Sequence, residues 1–144
     1  MTKIGVSISI VYTDEHLLEL RVQAGNEAFA GQANVYADSE IARQFANLLR
    51  GFPVSSSDTR EIELGTFDDA YAGGGASFRF YCVDSVGHAM VEVRLRTDPR
   101  LGVGVSDVAT IHFPVQASLI DSFVGELEQM APEVGQTAVL EGAA

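Results

Sequence analysis

The chain has 144 residues with 20 acidic against nine basic side chains, a formal net charge of −11, which repels phosphate backbones and anionic lipid headgroups and argues against nucleic acid or membrane as direct partners. A 47% hydrophobic fraction supports one ordinary core, and four prolines with 14 glycines are too few for a disordered or fibrous chain. A single cysteine excludes an internal disulfide and points to a reducing, cytoplasmic compartment.

Ile4, Val6, Ile8 and Ile10 alternate with Gly5, Ser7 and Ser9, the pattern of a half-buried strand rather than a signal peptide. Leu18, Leu20, Val22 and Ala24 alternate in the same way, and a turn over Thr13 to Glu15 would set Ile10 opposite Leu18 and Ile8 opposite Leu20. Gly25-Asn26 suits a two-residue type II′ turn, which predicts a third strand over 27–36 with Val22 opposite Phe29. Asp38 reads as the N-cap of a helix to about Arg50, with Ile41, Phe45, Leu48, Leu49 and Phe52 on one stripe. Gly51 is placed to end it and Pro53 bars continuation.

A polar connector, 53–58, divides the chain. Ile62 and Leu64 then suggest a short, charged edge strand, followed by a loop whose Gly73-Gly74-Gly75 reads as a flexible turn. Residues 76–96 form the clearest hairpin. Folded about Ser85-Val86, it opposes Cys82 to Ala89, Phe80 to Val91 and Phe78 to Val93 on one face, and Tyr81 to Met90, Arg79 to Glu92 and Ser77 to Arg94 on the other. Cys82 falls inward and reads as a small buried hydrophobe. A strand over 108–113 follows, then a helix over 116–131 carrying Leu119, Ile120, Phe123, Val124, Leu127 and Met130; residues 132–144 read as a short, frayed tail.

Leu18 to Val22 (LELRV) echoes Val91 to Leu95 (VEVRL), and Ile41, Phe45, Leu49 and Phe52 echo Leu119, Phe123, Leu127 and Met130. The offsets, 73 and 78, differ by what the loop near Leu101 to Val105 can absorb. A tandem βββα duplication is one reading; the generic likeness of amphipathic elements is the other. Both give a single α+β domain over 1–131, with pseudo-halves 1–52 and 59–131 and an antiparallel meandering sheet of about seven strands carrying two helices on one face. The other face, with Glu19, Arg21, Arg79, Tyr81, Glu92, Arg94, Arg96 and His112, is left open to solvent or a partner.

No two of His16, His88 and His112 have metal-ligand spacing, and the triple glycine precedes a strand where a phosphate-cradling loop precedes a helix. Ser55 to Ser57 sit in no nucleophile elbow. The expectation is a protein without catalytic residues, cofactor or metal. Two surfaces suit a partner. One is the sheet face with Arg79, Tyr81, Glu92 and Arg94, mixing aromatic and charge; the other is the acidic run Asp58, Glu61, Glu63, Asp68 and Asp69, which would steer a basic protein.

Residues 84–130, with Gly-His after a turn, an alternating Arg-bearing strand, the strand ending IHF and the helix SLIDSFVGELEQM, resemble a family of small uncharacterised bacterial proteins similar to toxin-immunity proteins. The resemblance implies a non-enzymatic cytoplasmic protein that occludes a protein partner, and it carries over no site residue. A small-ligand carrier with a pocket near Phe45, Phe80 and Phe123 is the alternative, and a homodimer is compatible with either.

Overall fold

The predicted strands sort into two sheets rather than one. The computed structural model describes residues 3–99 and 104–144. Its elements run β1 (Gly5–Thr13), β2 (Leu18–Gly25), β3 (Ala30–Ala37), α1 (Ile41–Leu49), β4 (Thr59–Gly65), β5 (Gly75–Cys82), β6 (Ala89–Arg96), β7 (Val108–Val115), α2 (Ala117–Glu128) and β8 (Thr137–Glu141). One sheet has the order β3-β2-β1-β8 and the other β4-β5-β6-β7, with antiparallel neighbours.

Small residues on β3 explain the division. Gly31 lies so close to the second sheet that an added Cβ would stand 3.2 Å from Leu95 Cδ1 and 3.5 Å from the Ala109 Cβ. Further along, Asn34 O accepts from Gly74 N at 3.0 Å, so β3 crosses the second sheet instead of pairing with β4. The triple glycine serves this approach: Gly73, Gly74 and Gly75 are buried, and a Cβ on Gly74 would meet Arg96 O at 2.4 Å. It is a packed crossing, not a flexible turn.

The expected tail carries β8, whose Ala138 and Leu140 point into the core while Ser7 and Ser9 of β1 oppose Val139 and Thr137. The two helices pack on each other between the sheets, α1 against the second sheet and α2 against β8 of the first. Phe45 of α1 meets Phe78 and Phe80 of β5 and Phe123 of α2, and with Leu127 it also lines a space shared with Ile8, Ile10, Leu18 and Leu20. One continuous core results.

The hairpin of β5 and β6 has the predicted register at every rung. The first two hairpins keep the predicted faces but shift by even numbers of residues. Ile10 opposes Leu20, after a bulge between Ile10 and Tyr12, and Val22 opposes Ala33. Side-chain-capped turns cause both shifts. Asp14 Oδ1 accepts from His16 N and Leu17 N, while Asn26 Oδ1 accepts from Ala28 N and Phe29 N, making a longer loop than Gly25-Asn26 alone. Asp38 accepts from Glu40 N, one turn ahead of α1, whose own first residue is Ile41. Gly51, at φ +81°, ends that helix as expected.

Three aspartates fasten turns and connectors, and each is held below the ordinary carboxylate range. Backbone N–H groups of His16 and Leu17 do this for Asp14, the Arg60 guanidinium for Asp58, and the His88 side chain for Asp84. A depressed carboxylate stabilises the fold above its unfolded value and loses that contribution as pH falls through the lower folded value. Asp58, with only 10% of its side chain exposed, dominates. Unfolding midpoints in denaturant should therefore fall for the native protein below about pH 4. Asp58→Asn should be less stable at neutral pH, with the gap closing as acid is added; a gap independent of pH would refute this role.

Candidate functional site on the outer face of the second sheet

Alternation on β4 to β7 turns every second side chain away from the core, and neither helix covers that side. Three successive cross-strand pairs align Glu61, Arg79, Glu92 and His112 across the sheet. Arg79 Nε lies 3.4 Å from Glu61 Oε1, and His112 Nε2 lies 3.0 Å from Glu92 Oε1, so charges alternate in sign over three strands and the histidine closes the row. Beside it, the Arg79 guanidinium stacks 4.4 Å from the centre of the Tyr81 ring, and that of Arg94 stacks 4.7 Å from the centre of the Phe67 ring. Between the stacks, Ser77 floors a depression of about 260 Å³ bordered by Glu61, Glu63, Arg79 and Glu92.

Each ion pair here is half-exposed and contributes ~0–1 kcal/mol to stability. Their effect is on shape. Stacking holds two long cations in defined positions, reducing the entropy lost when a partner binds them.

Arg79, Tyr81, Glu92 and Arg94 are thus brought together as the sequence suggested. Glu19 and Arg21 are not among them: they lie on the first sheet, where Glu19 accepts from Asn34 Nδ2 at 3.1 Å. Arg96 is also withdrawn, 3% exposed beneath the loop 66–74, where it donates to Thr66 O and Gly73 O and pairs with Asp69.

The acidic run does not form a single field. Asp58 is neutralised by Arg60, which also donates to Leu48 O and Arg50 O at the end of α1; Glu61 is paired with Arg79 and Asp69 with Arg96. Asp68 accepts from Ala70 N in the loop, and Glu63 stands exposed on β4. Phe67 was not among the predicted residues. It sits in an aperiodic loop that also carries Tyr71, so its aromatic type alone does not single it out in the sequence.

In the interior, Phe45 and Phe123 meet edge-on with ring centres 5.5 Å apart, and the space lined by Phe45, Ile41 and Leu127 is about 20 Å³, room for about one water. Cys82 is half-buried rather than buried, its Sγ 3.8 Å from Ser55 O. Burial, then the carboxylates of Asp58 and Asp84, push its thiol up, so it stays protonated at neutral pH. Among the described residues no cluster of three or more His, Cys, Asp or Glu could hold a metal ion, and no helix is long and apolar enough to cross a membrane.

The chain matches no family model, no curated protein and no solved structure.

Proposed function

We propose that the protein is a non-enzymatic binding module that presents the outer face of its second sheet to another protein. The observation that carries this reading is the pair of guanidinium–aromatic stacks, Arg79 on Tyr81 and Arg94 on Phe67, on a sheet face left bare by both helices. Arginine and aromatic side chains dominate binding hot spots because they offer large contact area already fixed in place. Net charge −11 favours a partner of opposite sign. The resemblance of residues 84–130 to a family of uncharacterised bacterial proteins, itself similar to toxin-immunity proteins, supports a class for that partner, a bacterial toxin domain held occluded.

The double variant Arg79→Ala with Arg94→Ala tests it. A partner cross-linked to the native protein in its own cells should bind the variant at least about tenfold more weakly, with circular dichroism unchanged. Equal retention of every partner would remove this face from consideration.

The same proposal takes the chain as two β-β-β-α-β units, β1 to β4 and β5 to β8, that exchange their last strands. What supports it is the pair of sheet orders, β3-β2-β1-β8 and β7-β6-β5-β4, together with Phe45 and Phe123 meeting across the helices. Counted from Gly5 and Gly75, the first residues of β1 and β5, Leu20 rather than Leu18 falls at the rung of Val91. The sequence echo is thus two residues out of register with the sheets. The loop invoked to absorb the difference in offset lies partly in residues 100–103, outside the described residues.

A further inference from the structure

We infer that the free edge of β4 is a docking strand, which takes an extended, lysine- or arginine-bearing segment of a partner protein as a fifth strand of the second sheet. This deepens the binding-module proposal and rests on it, adding the partner's chemistry and a backbone mode of recognition.

The four edge strands are treated differently. On β8, the Val139 N–H donates to Glu126 Oε1 of α2 at 3.1 Å. On β7, His112 O accepts from Asn26 Nδ2 at 2.9 Å and Pro114 O from Ala143 N at 2.7 Å. On β3, Asn34 O accepts from Gly74 N. Among the described residues no such bond reaches the main chain of Thr59, Glu61 or Glu63, all exposed. An edge with unmet N–H and C=O groups is a template for another strand unless something closes it.

The correspondence between the two units sharpens the contrast. Val139 opposes Ser7, the third residue of β1, and Glu63 opposes Ser77, the third residue of β5. Glu63 therefore occupies the position of Val139, whose N–H points out of the sheet. On the helices, Glu126 follows Phe123 by three residues, and Leu48 follows Phe45 by three. Where one unit closes its edge with a carboxylate, the other offers a leucine, and the Glu63 N–H is left for an outside acceptor.

Charge selects the occupant. Glu61 and Glu63 on the outer side of the edge would repel a second copy of this acidic chain, and they fit a cationic strand. A side chain on the outer face of a docked strand would reach the depression floored by Ser77, where Glu61, Glu63 and Glu92 surround the single cation Arg79. Main-chain bonds would supply affinity and this depression the preference for lysine or arginine.

A blocked peptide alternating lysine with threonine, titrated into the 144-residue chain, tests the inference by amide NMR and hydrogen exchange. The amides of Thr59, Glu61 and Glu63 should shift and gain protection. Glu63→Pro removes an outward N–H at an edge position where proline is tolerated, and should weaken binding by about tenfold or more. Glu63→Lys, which asks nothing unusual of the backbone, should weaken it comparably. No change along β4 at millimolar peptide, or binding by both variants as tight as by the native protein, overturns the inference. Shifts confined to Tyr81 and Arg94 would also overturn it while leaving the face reading intact; loss of a cellular partner on mutating Arg79 and Arg94 but not Glu63 would do the same.

Discussion

Phe45→Ala should cost about 3–5 kcal/mol and lower Tm by on the order of 10 °C, the largest effect expected of any single core truncation here. Its ring is 1% exposed and its centre lies 5.0 Å from that of Phe78, 6.1 Å from that of Phe80 and 5.5 Å from that of Phe123. One side chain on a nine-residue helix thus joins the inner face of the second sheet to the other helix, and on its far side borders Ile8, Ile10, Leu18 and Leu20 of the first. Deleting the ring would enlarge the adjacent space of about 20 Å³ into a void bounded by both sheets. Collapse to refill it would have to move elements fixed by ladder bonds, so the cavity term persists. Phe29, an equally large ring but 68% exposed, should lose less than about 0.5 kcal/mol on the same truncation. Urea unfolding of the two variants separates the cases; similar losses at both would mean that Phe45 does not join the layers as described.

Legibility followed the range of the information that fixed each element. The β5–β6 hairpin was readable to the rung because pattern, turn and the Arg79–Glu92 opposition are all local and agree. Where a side chain closed the turn, as with Asp14 and Asn26, strand identity and facing survived but register slid by two and four residues, since apolar alternation is blind to even shifts. The division into two sheets was not local at all. It depends on Gly31 and the buried glycines of 73–75 letting β3 pass over the second sheet, and a small residue in a strand reads equally as a bend, a bulge or a close approach. Strand β8 was missed because five residues with alanine and one leucine inward carry too little hydrophobic contrast to stand out beside a tail.

The candidate site divides the same way. Arg79, Tyr81, Glu92 and Arg94 came together because period-two alternation on a correctly registered hairpin puts them on one face. The acidic run looked like a patch because sequence proximity says nothing of where cations lie. Arg60 is two residues from Asp58, but Arg96 is 27 from Asp69 and arrives only through tertiary structure. Arg96 itself shares the facing of Arg94, and only the loop folded over it removes it from the surface.

That loop supplies the second large expectation. Arg96→Met should destabilise the protein by about 2–4 kcal/mol, whereas Asp69→Asn should cost less than about 1 kcal/mol, although the two residues form an ion pair. The asymmetry follows from exposure: the Arg96 side chain is 3% exposed and that of Asp69 77%. Asp69 loses a partner but keeps water. Arg96 also donates from Nη1 to Thr66 O at 3.1 Å and to Gly73 O at 3.4 Å, carbonyls at the two ends of the loop, and methionine of similar length would leave both without that donor. Lysine in its place retains the charge but not the planar fork that reaches both loop ends and the carboxylate together, so Arg96→Lys should fall between the two. The local consequence lies one residue on, at Gly74, whose N–H bonds to Asn34 O where β3 crosses the second sheet. Loosening the loop frees that bond, and exchange of the Gly74 amide should accelerate in Arg96→Met and stay near native in Asp69→Asn. Equal losses in the two variants would show that the ion pair, not the clasp on the carbonyls, holds the loop against the sheet.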